Sequence, residues 1–311
     1  MRLKGKFMDW SLFTLTNDGE SVATPCVEIV AFTYALPENI GVGLARFLRA
    51  YMDAFGKQQR FYRTGDMKRY RVQDAKAIEG PNHWFSDLAI LATKILAYNA
   101  HSGKQAGEVQ SPAIRMSLLG PLDPPRFVLR MALPVEWGDH PDQVIALAQD
   151  ALAEFPLSSG YAGYSLLWQD SDPLVDRKVL KWAIPLMVRY PGFGFGDALR
   201  TSNGAKHGVA AVNWLTFLGA EAAAALGGLA ALERSVPVGV SALALGEAGA
   251  ILRAGDAPQI GDVDRQETLP TYGAVGKLVA HVVAPDEALK QILIKGMSDE
   301  DARDWLRRFF D

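Results

Sequence analysis

The sequence predicts an α+β fold, with mixed strands and helices in two closely packed lobes. Strand-like segments come in groups and do not alternate regularly with helices, which favours this class over a doubly wound parallel sheet. Hydrophobic residues make up 49% of the 311 residues, enough for a large buried core. The apolar pattern continues through residues 156–160, without a long linker between the lobes (about 1–157 and 158–311). We therefore expect one domain over residues 1–311.

The first third of the chain predicts one strand followed by two helices. Residues 27–35 are rich in β-branched and aromatic side chains and precede Pro37, as expected of a strand. Apolar residues at helical spacing predict a helix after Asn39 and a second helix over residues 84–98, with Asn82 as its N-cap. These apolar residues are Leu44, Phe47, Leu48, Tyr51 and Phe55 in the first helix, and Trp84, Leu88, Leu91, Ile95 and Tyr98 in the second.

The rest of the chain predicts a hairpin, further helices and a glycine-rich segment. Apolar residues alternate on both sides of Pro124 and Pro125, which belong to the hairpin connection because proline cannot donate to a strand ladder. The last third is rich in glycine and alanine and indicates short elements joined by tight turns. The predicted elements are a hairpin (114–133), a helix (144–152), a strand after the loop at 156–160, a helix (174–190) and a final helix (299–310).

Composition and charge argue against several classes of protein. Lys and Arg total 32 against 35 Asp and Glu, a net charge of −3, whereas a dedicated nucleic-acid-binding protein is usually basic. The one cysteine, Cys26, excludes an internal disulfide and a cysteine-based zinc site. No apolar run approaches the roughly 20 residues that span a membrane, and the N-terminal sequence lacks the apolar run of a signal peptide. We expect a soluble, cytoplasmic protein.

The sequence contains none of the common catalytic signatures. It has no phosphate-binding loop, nucleophile elbow, H-E-x-x-H helix or C-x-x-C pair. The glycines at 192–196 are spaced G-x-G-x-G but follow a predicted helix, whereas a dinucleotide-binding loop follows a strand. We therefore expect no cofactor. The histidines also lack the spacing of metal ligands, and they are His83, His101, His140, His207 and His281.

Two aspartate clusters and one basic stretch leave other functions open. The clusters are Asp170, Asp172 and Asp176, and Asp256, Asp262 and Asp264. Either could hold a divalent cation through oxygen ligands, or could stabilise a helix N-terminus or a turn. The stretch Lys57–Lys76 holds seven Lys and Arg against two Asp, and could contact phosphates or form an ordinary solvated face. The alternatives are therefore an enzyme with a dispersed carboxylate or metal site and a nucleic-acid-binding module.

Seven short motifs lie in the order typical of a known family, between about residues 25 and 285. The motifs are Ala35-Leu36-Pro37, Ala54-Phe55-Gly56, Gly160-Tyr161-Ala162-Gly163, Arg189-Tyr190-Pro191-Gly192, residues 213–219, Ala225-Leu226-Gly227-Gly228 and residues 254–262, with Pro270 and Tyr272 after them. With these motifs the chain resembles the type VI secretion immunity proteins, the antidotes of toxins delivered by that secretion system.

This resemblance implies a non-enzymatic protein that binds and neutralises a cognate toxin, a nuclease, by direct contact. Such an antidote needs a stable scaffold and a complementary surface, and no catalytic residue, metal or cofactor. The motif residues are then expected to be structural, with Trp214 buried in the core and its indole N–H bonded. They are Gly160, Tyr161, Gly163, Asn213, Trp214, Gly219, Gly227 and Gly228.

Charge suggests which surface binds the toxin. Residues 111–311 hold 18 Lys and Arg against 24 Asp and Glu, whereas residues 1–110 hold 14 against 11. A nuclease needs a positive groove for its polyanionic substrate, so an inhibitor is expected to present carboxylates to it. The alternative is that these acids only cap turns and helices. The predicted toxin-binding residues are Asp170, Asp172, Asp262, Asp264 and Glu267.

Overall fold

The computed structural model describes residues 8–17, 19–74, 76–168, 173–194, 198–289, 294 and 296–310. In this part of the chain eleven strands form one antiparallel sheet, and eleven α-helices accompany it, which confirms the α+β class. The strands are β1 Leu15–Asn17, β2 Glu20–Thr33, β3 Phe61–Thr64, β4 Arg71–Val72, β5 Ile95–His101, β6 Ala113–Leu119, β7 Arg126–Leu133, β8 Ser159–Trp168, β9 Leu215–Leu218, β10 Val240–Leu245 and β11 Gly249–Ala254.

The helices lie between these strands and at the C-terminal end of the chain. Among the helices of the described residues, none has the length and apolar character needed to span a membrane. They are α1 Gly41–Phe55, α2 Lys76–Ser86, α3 Leu88–Thr93, α4 Pro141–Leu152, α5 Pro173–Arg189, α6 Ala198–Ala205, α7 Ala220–Ala225, α8 Leu229–Ser235, α9 Pro270–Val279, α10 Asp286–Leu289 and α11 Asp299–Arg307.

Strand β2 lies at the centre of the sheet and pairs with both lobes. Its residues 27–33 pair with β7, and its residues 23–32 pair with β8. From β7 the sheet continues through β6, β5 and β3 to an edge at β4, and from β8 it continues through β9 and β11 to an edge at β10. The boundary predicted near residues 156–160 is therefore the loop that leads into β8, and one sheet crosses it.

A buried polar network ties the two sides of β2 together. Arg130 on β7 donates to the Glu28 carboxylate from Nε at 2.8 Å, and its Nη2 lies 2.6 Å from Oε1 of the same carboxylate. Ser165 on β8 donates to the other oxygen of Glu28 at 2.8 Å. Glu28 is 1% exposed, so its charge is stabilised by these partners and not by water.

Several predicted elements have the expected positions. The apolar stripe of α1 is buried throughout, and α1 packs against α4. The predicted hairpin is β6 and β7, with Pro124 and Pro125 in its connection. The helices predicted at 144–152 and 174–190 are α4 and α5, and the final helix is α11, which ends at Arg307 before the predicted Phe310.

The helix predicted over residues 84–98 is wrong. Helix α2 ends at Ser86, and Asp87 starts the short helix α3 by accepting the N–H of Ile90 at 3.0 Å. From Ile95 the chain forms β5, which pairs with β6 and β3, so Tyr98 reaches the core from a strand. Asn82 lies inside α2 and is not an N-cap. The apolar spacing of residues 84–98 fits one long helix, but it fits equally well a helix end followed by a strand. The pairing of β5 with β6 and β3 decides for the strand.

Candidate interaction surface

Three of the predicted carboxylates lie in one loop between β11 and α9. We call residues 262–267 the acidic loop; it contains Asp262, Asp264 and Glu267 around a single 3₁₀ turn. The loop closes on itself, because the backbones of Asp262 and Glu267 form an antiparallel bridge with an N–O distance of 3.0 Å. Asp170 and Asp172, the other two predicted residues, lie outside the described residues.

Asp262 is the buried anchor of the acidic loop. Its side chain is 6% exposed and is bound by Arg189 at the end of α5, from Nε to Oδ1 at 3.0 Å and from Nη2 to Oδ2 at 2.9 Å. It also accepts the backbone N–H of Asp264 at 3.1 Å. The hydrogen bonds from Arg189 are the main cause that lowers the pKa of Asp262. Asp262 therefore orients the loop and offers little surface to a partner.

Asp264 and Glu267 are the exposed carboxylates of the loop. The Asp264 side chain is 63% exposed, although Nη1 of Arg189 lies 3.0 Å from its Oδ2. Glu267 is also exposed, and the exposed Val263 precedes Asp264 in the loop. Both carboxylates therefore face solvent, although Arg265, which is 65% exposed, lies between them in sequence.

An open, largely apolar groove of about 410 Å³ adjoins the acidic loop. We call it the Trp10 groove; Glu267 lies on its rim. Trp10 packs on Tyr164 with ring centroids 4.8 Å apart, and the following Phe13 is buried against Tyr190 and Phe193. No sequence signal points to Trp10, because no periodicity marks the single 3₁₀ turn that holds it. The lining residues are Met8, Trp10, Tyr164, Pro258, Gln259, Ile260, Gly261, Glu267, Thr268 and Leu269.

Together the groove and the loop have the character of a protein–protein interface. Interfaces combine aromatic and aliphatic anchors in recesses with a polar rim, and a few buried anchors carry most of the binding energy. Trp10 is the candidate anchor, and Asp264 and Glu267 are the candidate rim charges.

The described residues of the two aspartate clusters have structural roles. Among the described residues, no group of three His, Cys, Asp or Glu side chains is placed to hold a metal ion. The carboxylate of Asp262 is already bound by Arg189, and Asp176 on α5 accepts the indole N–H of Trp168 at 3.2 Å. These two acids therefore have structural partners.

Most of the predicted structural residues are closely packed, and two of the glycines occupy turns with positive φ. Trp214 is fully buried, and its indole N–H donates to the carbonyl of Gly255 at 3.3 Å. The Asn213 side chain accepts the N–H of Trp214 at 2.7 Å and lies so close to Gly163 that a Cβ there would overlap it. A Cβ at Gly160 or Gly219 would likewise overlap a backbone carbonyl. Tyr161 is 2% exposed, and Gly227 and Gly228 have φ angles of +88° and +79°.

The family comparison decides what kind of protein this is. A family model described as TsiV, type VI immunity for VRR-NUC, matches residues 43–309. The chain belongs to the TsiV family. The expected type VI immunity function, directed against a nuclease toxin, is thereby confirmed. The TsiV match extends through α11, beyond Pro285, where the motif resemblance ends.

A solved structure shares the TsiV-family fold described above. It is a Pseudomonas aeruginosa T6SS protein, PA0821, which superposes with a TM-score of 0.74. The two chains are 18% identical over 93% of this chain and 83% of that chain, so the likeness concerns the fold alone. A comparison with curated proteins finds no match.

Proposed function

We propose that this TsiV-family protein neutralises a VRR-NUC toxin by direct, non-enzymatic contact through the acidic loop and the Trp10 groove. A nuclease has a positive surface where its polyanionic substrate binds, and exposed carboxylates complement such a surface. The observation that carries the proposal is that Glu267 lines an open groove together with Trp10, while Asp264 is exposed in the same loop. Complementary charge accelerates association, and a buried aromatic anchor slows dissociation.

We also propose that the protein acts in the cytoplasm and that it neutralises the toxin without catalysing a reaction. An antidote of a nuclease is needed where the nucleic acid is, so we place it in the cytoplasm. Neutralisation by contact requires a complementary surface and no reacting group, in agreement with the family's immunity role. The Asp262 carboxylate supports a non-enzymatic role, because it is bound by Arg189 and holds the loop in place.

Co-expression in bacteria tests the proposed function. Cells that express the cognate VRR-NUC toxin are expected to grow when they also express this protein, and a nuclease-inactive form of the toxin is expected to co-purify with it. The Asp264→Lys/Glu267→Lys variant is expected to rescue growth poorly. Its matched control is Glu233→Lys/Glu247→Lys, which changes the charge equally at two exposed sites on other elements. Rescue by the wild-type protein without any co-purification would contradict direct contact.

A further inference from the structure

The β4 edge of the sheet carries a strongly basic surface that the proposed function does not use. Strands β3 and β4 form the last hairpin of the sheet, within the stretch Lys57–Lys76. We call the cations of this stretch the basic edge. Six of them are exposed and Arg63 is partly buried; they are Lys57, Arg60, Arg63, Lys68, Arg69, Arg71 and Lys76.

The cations of the basic edge differ from other arginines of the protein in their partners. Within the part of the chain that the structure describes, none of them forms an ion pair, whereas Arg46, Arg130 and Arg189 each bind a carboxylate. The two acids of the stretch face their own backbone and neighbours. Asp66 accepts from the Thr64 hydroxyl, and Asp74 accepts the N–H of Ala77 at 3.1 Å. The positive charge of this surface is therefore not neutralised locally.

The outer backbone of β4 is available for pairing. No strand of the described residues pairs with the outer side of β4. Gln73 donates its N–H to the carbonyl of Arg60 at 2.8 Å. Because hydrogen-bonded and non-hydrogen-bonded pairs alternate in an antiparallel ladder, the N–H and C=O of Val72 point away from β3. The Val72 side chain is 71% exposed.

The charge of the edge selects what can pair with it. Lys and Arg on a short edge strand repel a second copy of the same strand, a common protection against edge-to-edge aggregation. The same cations attract an extended segment that carries Asp or Glu. An outward N–H and C=O at Val72 match a polypeptide backbone, whereas the phosphates of a nucleic acid would need the cations alone.

We propose that the basic edge is a second contact for the toxin, in which an extended acidic segment of the toxin adds as a strand beside β4. The toxin backbone pairs with Val72, and its carboxylates meet Lys68, Arg69 and Arg71. This inference depends on the proposed function, because it assumes the same partner. The two contacts use different elements, the loop at 262–267 and strand β4, and they carry opposite charges, so simultaneous binding fixes the orientation of the toxin.

Binding of the nuclease-inactive toxin to purified variants tests this proposal. Val72→Pro removes the outward N–H, and Val72→Thr is its matched control because it keeps that donor. Lys68→Glu/Arg69→Glu/Arg71→Glu reverses the charge, and Lys181→Glu/Arg234→Glu/Lys277→Glu reverses three exposed cations on other elements. We expect about tenfold weaker binding for Val72→Pro and for the edge triple, and less than about threefold change for both controls. Thermal melting of each variant checks its fold.

The outcomes separate this proposal from the proposed function. Unchanged affinity in Val72→Pro and in the edge triple, with weakened binding in Asp264→Lys/Glu267→Lys, overturns the basic edge and leaves the proposed function standing. Loss in the edge triple together with wild-type affinity in Val72→Pro overturns strand addition. If the edge triple binds the toxin normally but loses affinity for a single-stranded oligonucleotide, the basic edge is a nucleic-acid site. Failure of the wild-type protein to bind the toxin rejects both proposals.

Discussion

Arg189 and Asp262 form a bidentate ion pair that joins the end of helix α5 to the acidic loop, 73 residues later in the chain. The two N–O distances are 3.0 and 2.9 Å, and a third guanidinium nitrogen lies 3.0 Å from the carboxylate of Asp264. Arg189 therefore binds both the buried anchor of the loop, Asp262, and the exposed Asp264. The charged surface depends on a contact that is distant in sequence.

Removal of the Asp262 carboxylate is expected to loosen the acidic loop. In Asp262→Ala, Arg189 loses its bidentate partner and the N–H of Asp264 loses its acceptor, so residues 262–267 should exchange amide hydrogens faster and the melting temperature should fall. Asp264→Ala is the control, because that side chain is exposed. Equal hydrogen exchange in the two variants would show that the ion pair does not order the loop.

Because Arg189 binds Asp262, reversing the charge of Asp262 is unsuitable for a test of toxin binding. A lysine at position 262 would face Arg189 and Arg265, both of which approach the Asp262 carboxylate in the native protein. Reversing the charge of Asp262 together with that of Asp264 would therefore disturb the fold of the loop as well as its surface charge. Asp264 and Glu267 are the appropriate pair for a binding test.

Glu28 is expected to be essential for stability. Glu28→Leu leaves Arg130 buried without its carboxylate, a change that costs about 3–5 kcal/mol in the free energy of unfolding. Glu28→Leu/Arg130→Leu removes both charges and should regain most of this loss. Urea unfolding measures both values. If the double variant is less stable than Glu28→Leu, Arg130 does not depend on this carboxylate.

The urea experiment also tests our proposal that residues 1–311 form one domain. Glu28 bonds to β7 in the first lobe and to β8 in the second, and β2 pairs with both strands. We expect a single unfolding transition that fluorescence and circular dichroism report at the same urea concentration. Two separate transitions would contradict the single domain.

Replacing Trp214 is expected to reduce stability, whereas replacing Trp10 is expected to reduce toxin binding. Trp214 is fully buried, so Trp214→Ala should lower the free energy of unfolding by about 3–5 kcal/mol. Trp10 is partly buried in the groove, so Trp10→Ala should mainly weaken toxin binding. Urea unfolding and a binding titration are needed for each variant. An unchanged melting temperature for Trp214→Ala, with lost binding, would make Trp214 an interface residue.

The stability of the protein should fall in mild acid because of His101. Burial is the main cause that lowers the pKa of His101 from its ordinary value of 6.5 to about 4, and its ring lies between Phe61 and Tyr70. Between these two values the unfolded chain binds a proton that the folded chain does not, so the contribution is complete above pH 6.5 and decreases as the pH falls towards 4. The expected slope is at most about 1.4 kcal/mol per pH unit.

His101→Gln is the variant that isolates this effect. It removes the titrating group and keeps a side-chain acceptor for the N–H of Gly103, which His101 Nδ1 accepts at 3.1 Å. The free energy of unfolding of this variant should depend less on pH between 4 and 6.5 than that of the wild-type protein. Parallel curves for the two proteins would show that His101 is not the group responsible.

Local sequence patterns predicted much of this fold, and long-range pairing explains what they missed. The apolar stripe of α1 and the alternation of β6 and β7 are each set within a few residues, so they could be read directly. The change from helix α3 to strand β5 could not, because β5 exists through its pairing with β6 and β3. The apolar run around Trp214 did predict that this side chain is buried, as it is in the structure.

The candidate surface was only partly predictable for the same reason. Charge counting indicated Asp262, Asp264 and Glu267, but exposure separates the anchor Asp262 from the two available carboxylates. Trp10 is about 250 residues away from the acidic loop in sequence, and its contact with Tyr164 places it in the groove beside Glu267. The buried partners of Glu28 likewise come from β7 and β8, which lie about 100 and 137 residues further along the chain.

The most direct test of the acidic-loop mechanism is the affinity of Asp264→Lys/Glu267→Lys for the nuclease-inactive toxin, measured by titration calorimetry at several salt concentrations. We expect binding about tenfold weaker than wild type at low salt and a smaller dependence on salt, because two attractive charges become repulsive. Glu233→Lys/Glu247→Lys, with the same change in net charge, should keep the wild-type affinity and salt dependence. If the loop variant instead binds like the wild-type protein at every salt concentration, the acidic loop does not contact the toxin.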